Sequence, residues 1–163
     1  MRTWSDYLKT AQTEDPIFAS VREGRYSEVL KYLENLGNPN LRNHKGHSLL
    51  MLAAYNGHAS LVSLLISCHA DVNSRDDSGN TILMGVAFKG HKQIVQQLLR
   101  AGADPRVINP KGQTALTFAE AFGRHEVATL LADLNSENQQ DRPRFLRRIS
   151  AVMKLFSLST KGA

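Results

Sequence analysis

The chain reads as an all-α solenoid built from about four repeats, and three observations predict that class. Gly24, Gly57, Gly90 and Gly123 stand 33 residues apart, and Gly46, Gly79 and Gly112 keep the same interval. The period also carries Leu65, Leu98 and Leu131, while Ala70 and Asp71 recur as Ala103 and Asp104. Within each period the apolar residues fall at helical spacing, as in Leu61, Val62, Leu65 and Ile66 and again in Ile94, Val95, Leu98 and Leu99. A unit of this length leaves an apolar face that only a neighbour can cover, so stability is expected to come from stacking.

Along the chain, residues 1–14 predict an N-terminal capping helix, with Trp4, Tyr7, Leu8 and Ala11 spaced to lie over the open end of the stack. A degenerate first unit occupies 15–42 and contains PIFASVREGRYSEVLKYLENLGNPN. Two full units cover 43–75 and 76–108, and a shorter one covers 109–134. Written out from their glycines, these read GHSLLMLAAYNGHASLVSLLISCHADVNSRDDS, GNTILMGVAFKGHKQIVQQLLRAGADPRVINPK and GQTALTFAEAFGRHEVATLLADL. With GxT near the start, AAxxGH in the middle and LL followed by GADVN at the end, the units resemble the ankyrin-repeat family over residues 15–134. The resemblance implies helix-turn-helix units joined by projecting β-hairpin turns. The small size further resembles stand-alone bacterial ankyrin proteins.

The residues make physical sense in such units. Ser48, Thr81 and Thr114 are expected to N-cap the first helices by accepting from free backbone N–H groups. Ala53, Ala54, Ala87 and Ala119 are small where neighbouring first helices stack closely. Gly57, Gly90 and Gly123 end those helices, and Gly46, Gly79 and Gly112 turn the hairpins, both at positions expected to need positive φ. The family's TPLH is absent, since the units read SLLM, TILM and TALT. Met51, Met84 and Thr117 therefore replace its histidine, and methionine is expected to fill the space without supplying a polar contact. Gly85 inside the third unit's first helix should cost about 1 kcal/mol.

Composition narrows the function classes. The 163 residues are 42% hydrophobic and 21% charged, ordinary globular values. No run of 18 apolar residues exists, and the opening MRTWSDYLKTAQTED lacks a secretory apolar stretch, so a cytoplasmic protein is expected. Cys68 stands alone, which excludes an intramolecular disulfide. Of the net charge of +5, residues 136–163 hold +4, with 6 Lys/Arg against 2 Asp/Glu. No glycine-rich phosphate loop, nucleophile elbow or paired acidic motif appears, so neither catalysis nor a cofactor is expected.

The resemblance also implies where a partner protein would bind, on the concave face made by hairpin tips and the exposed sides of first helices. Carried over by position, that face comprises Arg42, His44, Lys45, His47, Tyr55 and Asn56 in the second unit. The third unit supplies Arg75, Asp77, Ser78, Asn80, Phe88 and Lys89, and the fourth Ile108, Pro110, Lys111, Gln113 and Phe122. Tyr55, Phe88 and Phe122 form the candidate hot spot, flanked by Arg42 and Arg75; the alternative is that Phe88 and Phe122 fold inward and pack. His44 and His47 lack the further ligands of a metal site, and His58 and His91 hold the family's structural GH position.

Residues 135–141, NSENQQD, read as a polar linker, and 142–163 as a basic amphipathic helix. Its apolar stripe is Phe145, Leu146, Ile149, Val152, Met153 and Phe156, with Arg144, Arg147, Arg148 and Lys154 mostly elsewhere. Three uses compete: a cap on the last repeat, docking in a partner's groove, or adsorption to an anionic membrane surface. RRIS also resembles a basophilic kinase site at Ser150. Nucleic acid is not an expected partner, because the tail lacks interleaved aromatics for base stacking. The expectation is thus a monomeric, non-enzymatic protein-binding module, the alternative being a membrane or nucleic-acid adaptor working through the tail.

Overall fold

Helices come in pairs along residues 14–140, the part of the chain that the computed structural model describes. The first pair is α1 (Ile17–Arg22) and α2 (Tyr26–Glu34), the second α3 (Leu49–Tyr55) and α4 (Ala59–Ser67). The third is α5 (Ile82–Lys89) and α6 (Lys92–Arg100), the fourth α7 (Ala115–Ala121) and α8 (His125–Gln140). Helices α1, α3, α5 and α7 pack in one row, and α2, α4 and α6 in a second. The chain divides into two compact units, Met1–Ala128 and Thr129–Ala163; α8 begins in the first and continues into the second.

The starts of the inner helices follow from their hydroxyl caps. Ser48 Oγ accepts from the Met51 amide at 3.1 Å, and the Thr81 and Thr114 hydroxyls accept from the Met84 and Thr117 amides at 3.3 Å. The return bond expected to be missing is made after all. The Thr81 amide donates to Met84 Sδ at 3.4 Å, and the Thr114 amide to Thr117 Oγ1 at 2.8 Å. A thioether is a weak acceptor, so α5 has a soft version of the reciprocal capping box and α7 a full one.

Helix ends and hairpins depend on left-handed backbone. Gly90 ends α5 at φ 84°, and Gly79 turns a hairpin at φ 77° with Pro110 of the following unit against it. The loop after each outer helix also needs positive φ. There Gly102 fits, whereas Leu36 and His69 hold the equivalent place at φ 63° with side chains that disfavour it.

The core is the one the apolar period marks out. Ala53, Ala54, Ala87 and Ala119 are fully buried between inner helices, with Leu49, Leu50, Leu83 and Val86. Leu61, Val62, Leu65, Ile94, Val95 and Leu98 seal the outer row, while Ile66 and Leu99 stay half-buried at its edge. Each inner helix is short, so the stacking of neighbours rather than helix propensity holds it.

The hairpins are minimal. Single antiparallel bridges pair Arg42 with Ser48 and Arg75 with Thr81. Each tip is built on an acceptor that again recurs at 33: Asn43, Asp76 and Asn109. Asn43 Oδ1 takes the Lys45 and His47 amides, Asp76 Oδ1 the Ser78 and Asn80 amides, and Asn109 Oδ1 the Lys111 and Gln113 amides, all at 2.8–3.0 Å. Asparagines also join successive units: Asn40 Oδ1 accepts from the Asp71 amide at 2.7 Å and Asn73 Oδ1 from the Asp104 amide at 2.9 Å. His58 belongs to the same kind of bracing, its Nε2 lying 2.8 Å from the Arg22 carbonyl oxygen of the preceding unit.

One expectation is corrected. The polar linker placed at 135–141 is helical as far as Gln140, because NSENQQ carries neither glycine nor proline and its Glu and Gln are good helix formers. The capping helix placed at 1–14, except its last residue, and the basic helix at 142–163 with Arg144, Arg147, Arg148, Ser150 and Lys154 lie outside the described residues. Among the described residues, no helix is long and apolar enough to cross a membrane.

Candidate partner-binding groove

Where the hairpin tips of the second and third units overhang the inner helices, a groove of about 450 Å³ opens. Its floor is Met51, Leu52, Met84, Gly85 and Phe118, and Tyr55 and Phe88 stand along it. Asn43, His44, Lys45, His47, Asp76 and Asn80 form the polar rim, with Arg22, Asn56 and Thr81 completing the lining. Apolar floor and polar rim are the usual anatomy of a recognition site.

The shape of the floor comes from a register position. Leu52, Gly85 and Phe118 hold the same place in α3, α5 and α7, each 33 residues from the next. The middle one has no side chain, so the floor dips at Gly85. A Cβ there would meet only Tyr55 Cδ2, at the ordinary contact distance of 3.5 Å.

The three aromatic residues form a continuous row. The Tyr55 and Phe88 rings are parallel within 4° at 6.2 Å between centroids, and Phe88 meets Phe122 edge-on at 4.4 Å. Tyr55 remains 38% exposed and Phe122 49%, with Phe88 half-buried between them. Packing and exposure thus coexist: the rings fix one another while their outer surfaces face solvent. Lys89 Nζ lies 4.7 Å from the Tyr55 ring centroid, a cation–π arrangement that places a positive charge beside the row.

The charges at the groove differ in how far they are already used. Glu14 holds the Arg22 guanidinium through two bonds of 2.7 and 2.9 Å and accepts from Asn43 Nδ2 at 3.0 Å. Those bonds from Arg22 hold the Glu14 carboxyl below its ordinary range against the opposing effect of burial. Asp76 spends Oδ1 on two hairpin amides and Oδ2 on Asn80 Nδ2 at 3.1 Å. Lys45 makes no ion pair among the described residues. Burial lowers the His47 imidazole from its ordinary value, with the Asp76 charge pulling the other way.

The groove brings together His44, Lys45, His47, Tyr55, Asn56, Asn80 and Phe88, and Lys89 and Phe122 adjoin it through the aromatic row. Arg42 and Arg75 do not flank the aromatics. Successive hairpin side chains point to opposite sides, and these two line a separate hollow with Asn40, Asp71, Asn73 and Ser74. There the Arg42 guanidinium donates to the Arg75 carbonyl oxygen. Asp77 is turned to structure, its amide donating to the Lys45 carbonyl at 3.2 Å and its carboxylate packed on Gly46. Gln113 likewise accepts from Asn109 Nδ2 at 3.2 Å, and Lys111 is exposed on the next tip. Met51, Leu52, Met84, Gly85 and Phe118 are groove residues that the surface-by-position reading passed over, although their 33-residue register marks Leu52, Gly85 and Phe118 as one series. Among the described residues, no three His, Cys, Asp or Glu side chains gather as they would around a metal ion.

Comparison with known proteins agrees with this architecture. A family model described as ankyrin repeats in three copies matches residues 17–109 and again 50–143. The ankyrin repeat protein PA3287 of Pseudomonas aeruginosa is 44% identical over 57 residues, which is 35% of this chain. The match spans about a third, 33%, of that relative's own length.

Proposed function

The chain belongs to the ankyrin-repeat family, and on that premise we propose that it is a non-enzymatic binding module that holds a partner protein in the groove and along the aromatic row. Ankyrin repeats generally serve as protein–protein interaction modules, and members of the family are typically not enzymes. The observation that carries the reading is the row itself. Tyr55 and Phe122 stay exposed at the two ends of a contiguous run of rings, an apolar surface beside an apolar groove. Rigid aromatic side chains of this kind bury large area on binding at little entropic cost and dominate interface energies. His44, Lys45, His47, Asn56, Asn80 and Lys89 supply polar contacts around them, and the mechanism is occupancy.

The test is capture from native cytosol by the wild-type chain beside a Tyr55→Ala, Phe88→Ala, Phe122→Ala triple variant, with circular dichroism used to show equal helicity. A partner retained by the wild type and lost by the variant supports the groove. The same partners on both, or none on either, removes it as the working surface.

A further inference from the structure

Resting on the reading of the groove as the partner site, we propose that its occupant is an acidic protein segment presenting one large apolar side chain, which seats in the notch at Gly85. The apolar half of the inference starts from Gly85. It lies inside α5, does not have the positive φ found at Gly24, Gly46, Gly57, Gly79, Gly90, Gly102, Gly112 and Gly123, and a Cβ there would clash with nothing. At Gly37, the other glycine with ordinary φ, a Cβ would run into the Tyr32 ring. Backbone geometry and packing therefore explain the other glycines and leave Gly85 unexplained, while a glycine inside a helix weakens it. What the missing side chain does provide is space, between Leu52 and Phe118 and beneath Tyr55, in the floor of the groove.

The charge half follows from what remains unspent at the rim. Glu14 neutralises Arg22, and the Asp76 carboxylate is consumed by three hydrogen bonds. Lys45 and Lys89 then stand as the uncompensated charges beside the floor, with His44 and His47 able only to add to them. A ligand carrying Asp or Glu next to its apolar anchor matches that field, and a basic one is repelled. This also rules out the chain's own 142–163 segment as the occupant, since it carries six Lys/Arg and no Asp or Glu.

A displayed random dodecapeptide library selected on the full-length chain reads the preference directly. The expected enrichment is Leu, Met, Phe or Trp with Asp or Glu beside it. A synthetic peptide of the leading sequence should lose at least about tenfold in affinity on Gly85→Leu, which fills the notch as Leu52 does in α3, and on Lys45→Glu. Gly85→Ala, whose Cβ fits without strain, repeats the test at smaller amplitude if the leucine variant melts early. Two outcomes overturn the inference while leaving the groove in place: enriched sequences without acidic residues, or a peptide sensitive to the aromatic triple variant yet indifferent to both Gly85→Leu and Lys45→Glu. Peptides indifferent to the aromatic triple variant, or no enrichment at all, overturn the groove reading itself and the inference with it.

Discussion

Phe88 meets Phe122 edge-on, ring centroids 4.4 Å apart at 73°, so the third and fourth repeats are joined by an aromatic contact at the groove's margin. Edge-to-face pairs contribute about 0.5–1.5 kcal/mol beyond their buried area. A double-mutant cycle of Phe88→Ala and Phe122→Ala in urea denaturation should return a coupling in that range. The parallel Tyr55 and Phe88 rings, at 6.2 Å, should couple less. Strict additivity of Phe88→Ala and Phe122→Ala would show that the rings are merely adjacent.

Glycines in this chain divide by what they do, and alanine scanning should separate them. Gly85→Ala is expected to raise stability by about 0.5–1 kcal/mol, because a helical glycine gains propensity and the new Cβ lies at a normal distance from Tyr55. Gly79→Ala is expected to lower it by about 1–2 kcal/mol or more, since φ is 77° and the Cβ would come within 2.6 Å of Pro110 Cδ. Denaturant midpoints of opposite sign check the pair.

Leu36 and His69 hold left-handed backbone where the next repeat has Gly102. Leu36 is 95% exposed, so Leu36→Gly removes strain and sacrifices almost no burial. Each of Leu36→Gly and His69→Gly should gain up to about 1 kcal/mol, the relief of φ outweighing glycine's greater freedom in the unfolded chain. A fall in melting temperature for Leu36→Gly would mean that its side chain has a contact to lose.

Asn109 is the most heavily used polar side chain of the hairpins. It is 5% exposed, accepts the Lys111 and Gln113 amides and donates to Asn80 Oδ1 and Gln113 Oε1. Asn109→Ala leaves those partners unsatisfied in a partly buried setting and should cost about 2–3 kcal/mol. Thermal melts should show the same loss without a change of helicity in the folded baseline.

Acid should destabilise the fold in two steps. His47 titrates below its ordinary 6.5 in the native state because burial disfavours its charge. Between the native value and 6.5 the unfolded chain binds the extra proton, so stability declines as pH falls through that window. Glu14, held below its ordinary 4.5 by Arg22, adds a second decline below that value. His47→Gln should remove the first step and Glu14→Gln the second in urea midpoints measured from neutral to acid pH.

Most of the fold was readable because the repeat writes it three or four times. A hydroxyl at 48, 81 and 114 and a glycine at 46, 79 and 112 each name a local structure with a single physical cause. The acceptors at 43, 76 and 109 share that spacing but alternate between Asn and Asp, so identity alone hides what oxygen chemistry unites. The site was only partly legible. Tyr55, Phe88 and the histidines could be placed on the right surface from their position in the unit. Arg42 and Arg75 could not, because a one-residue step along a hairpin turns a side chain to the other side. The notch at Gly85 exists only relative to Leu52 and Phe118, and it becomes visible once the three helices lie side by side.

The asparagines that tie Asn40 to Asp71 and Asn73 to Asp104 make chain length a quantised variable. Deleting or duplicating a stretch of 33 residues brings an asparagine back opposite an amide of the same kind. Any other indel between those loops leaves it facing the wrong stretch of backbone. Evolution by unequal recombination is thereby steered toward whole modules, and sequences shortened by a fraction of one should be rare among viable descendants.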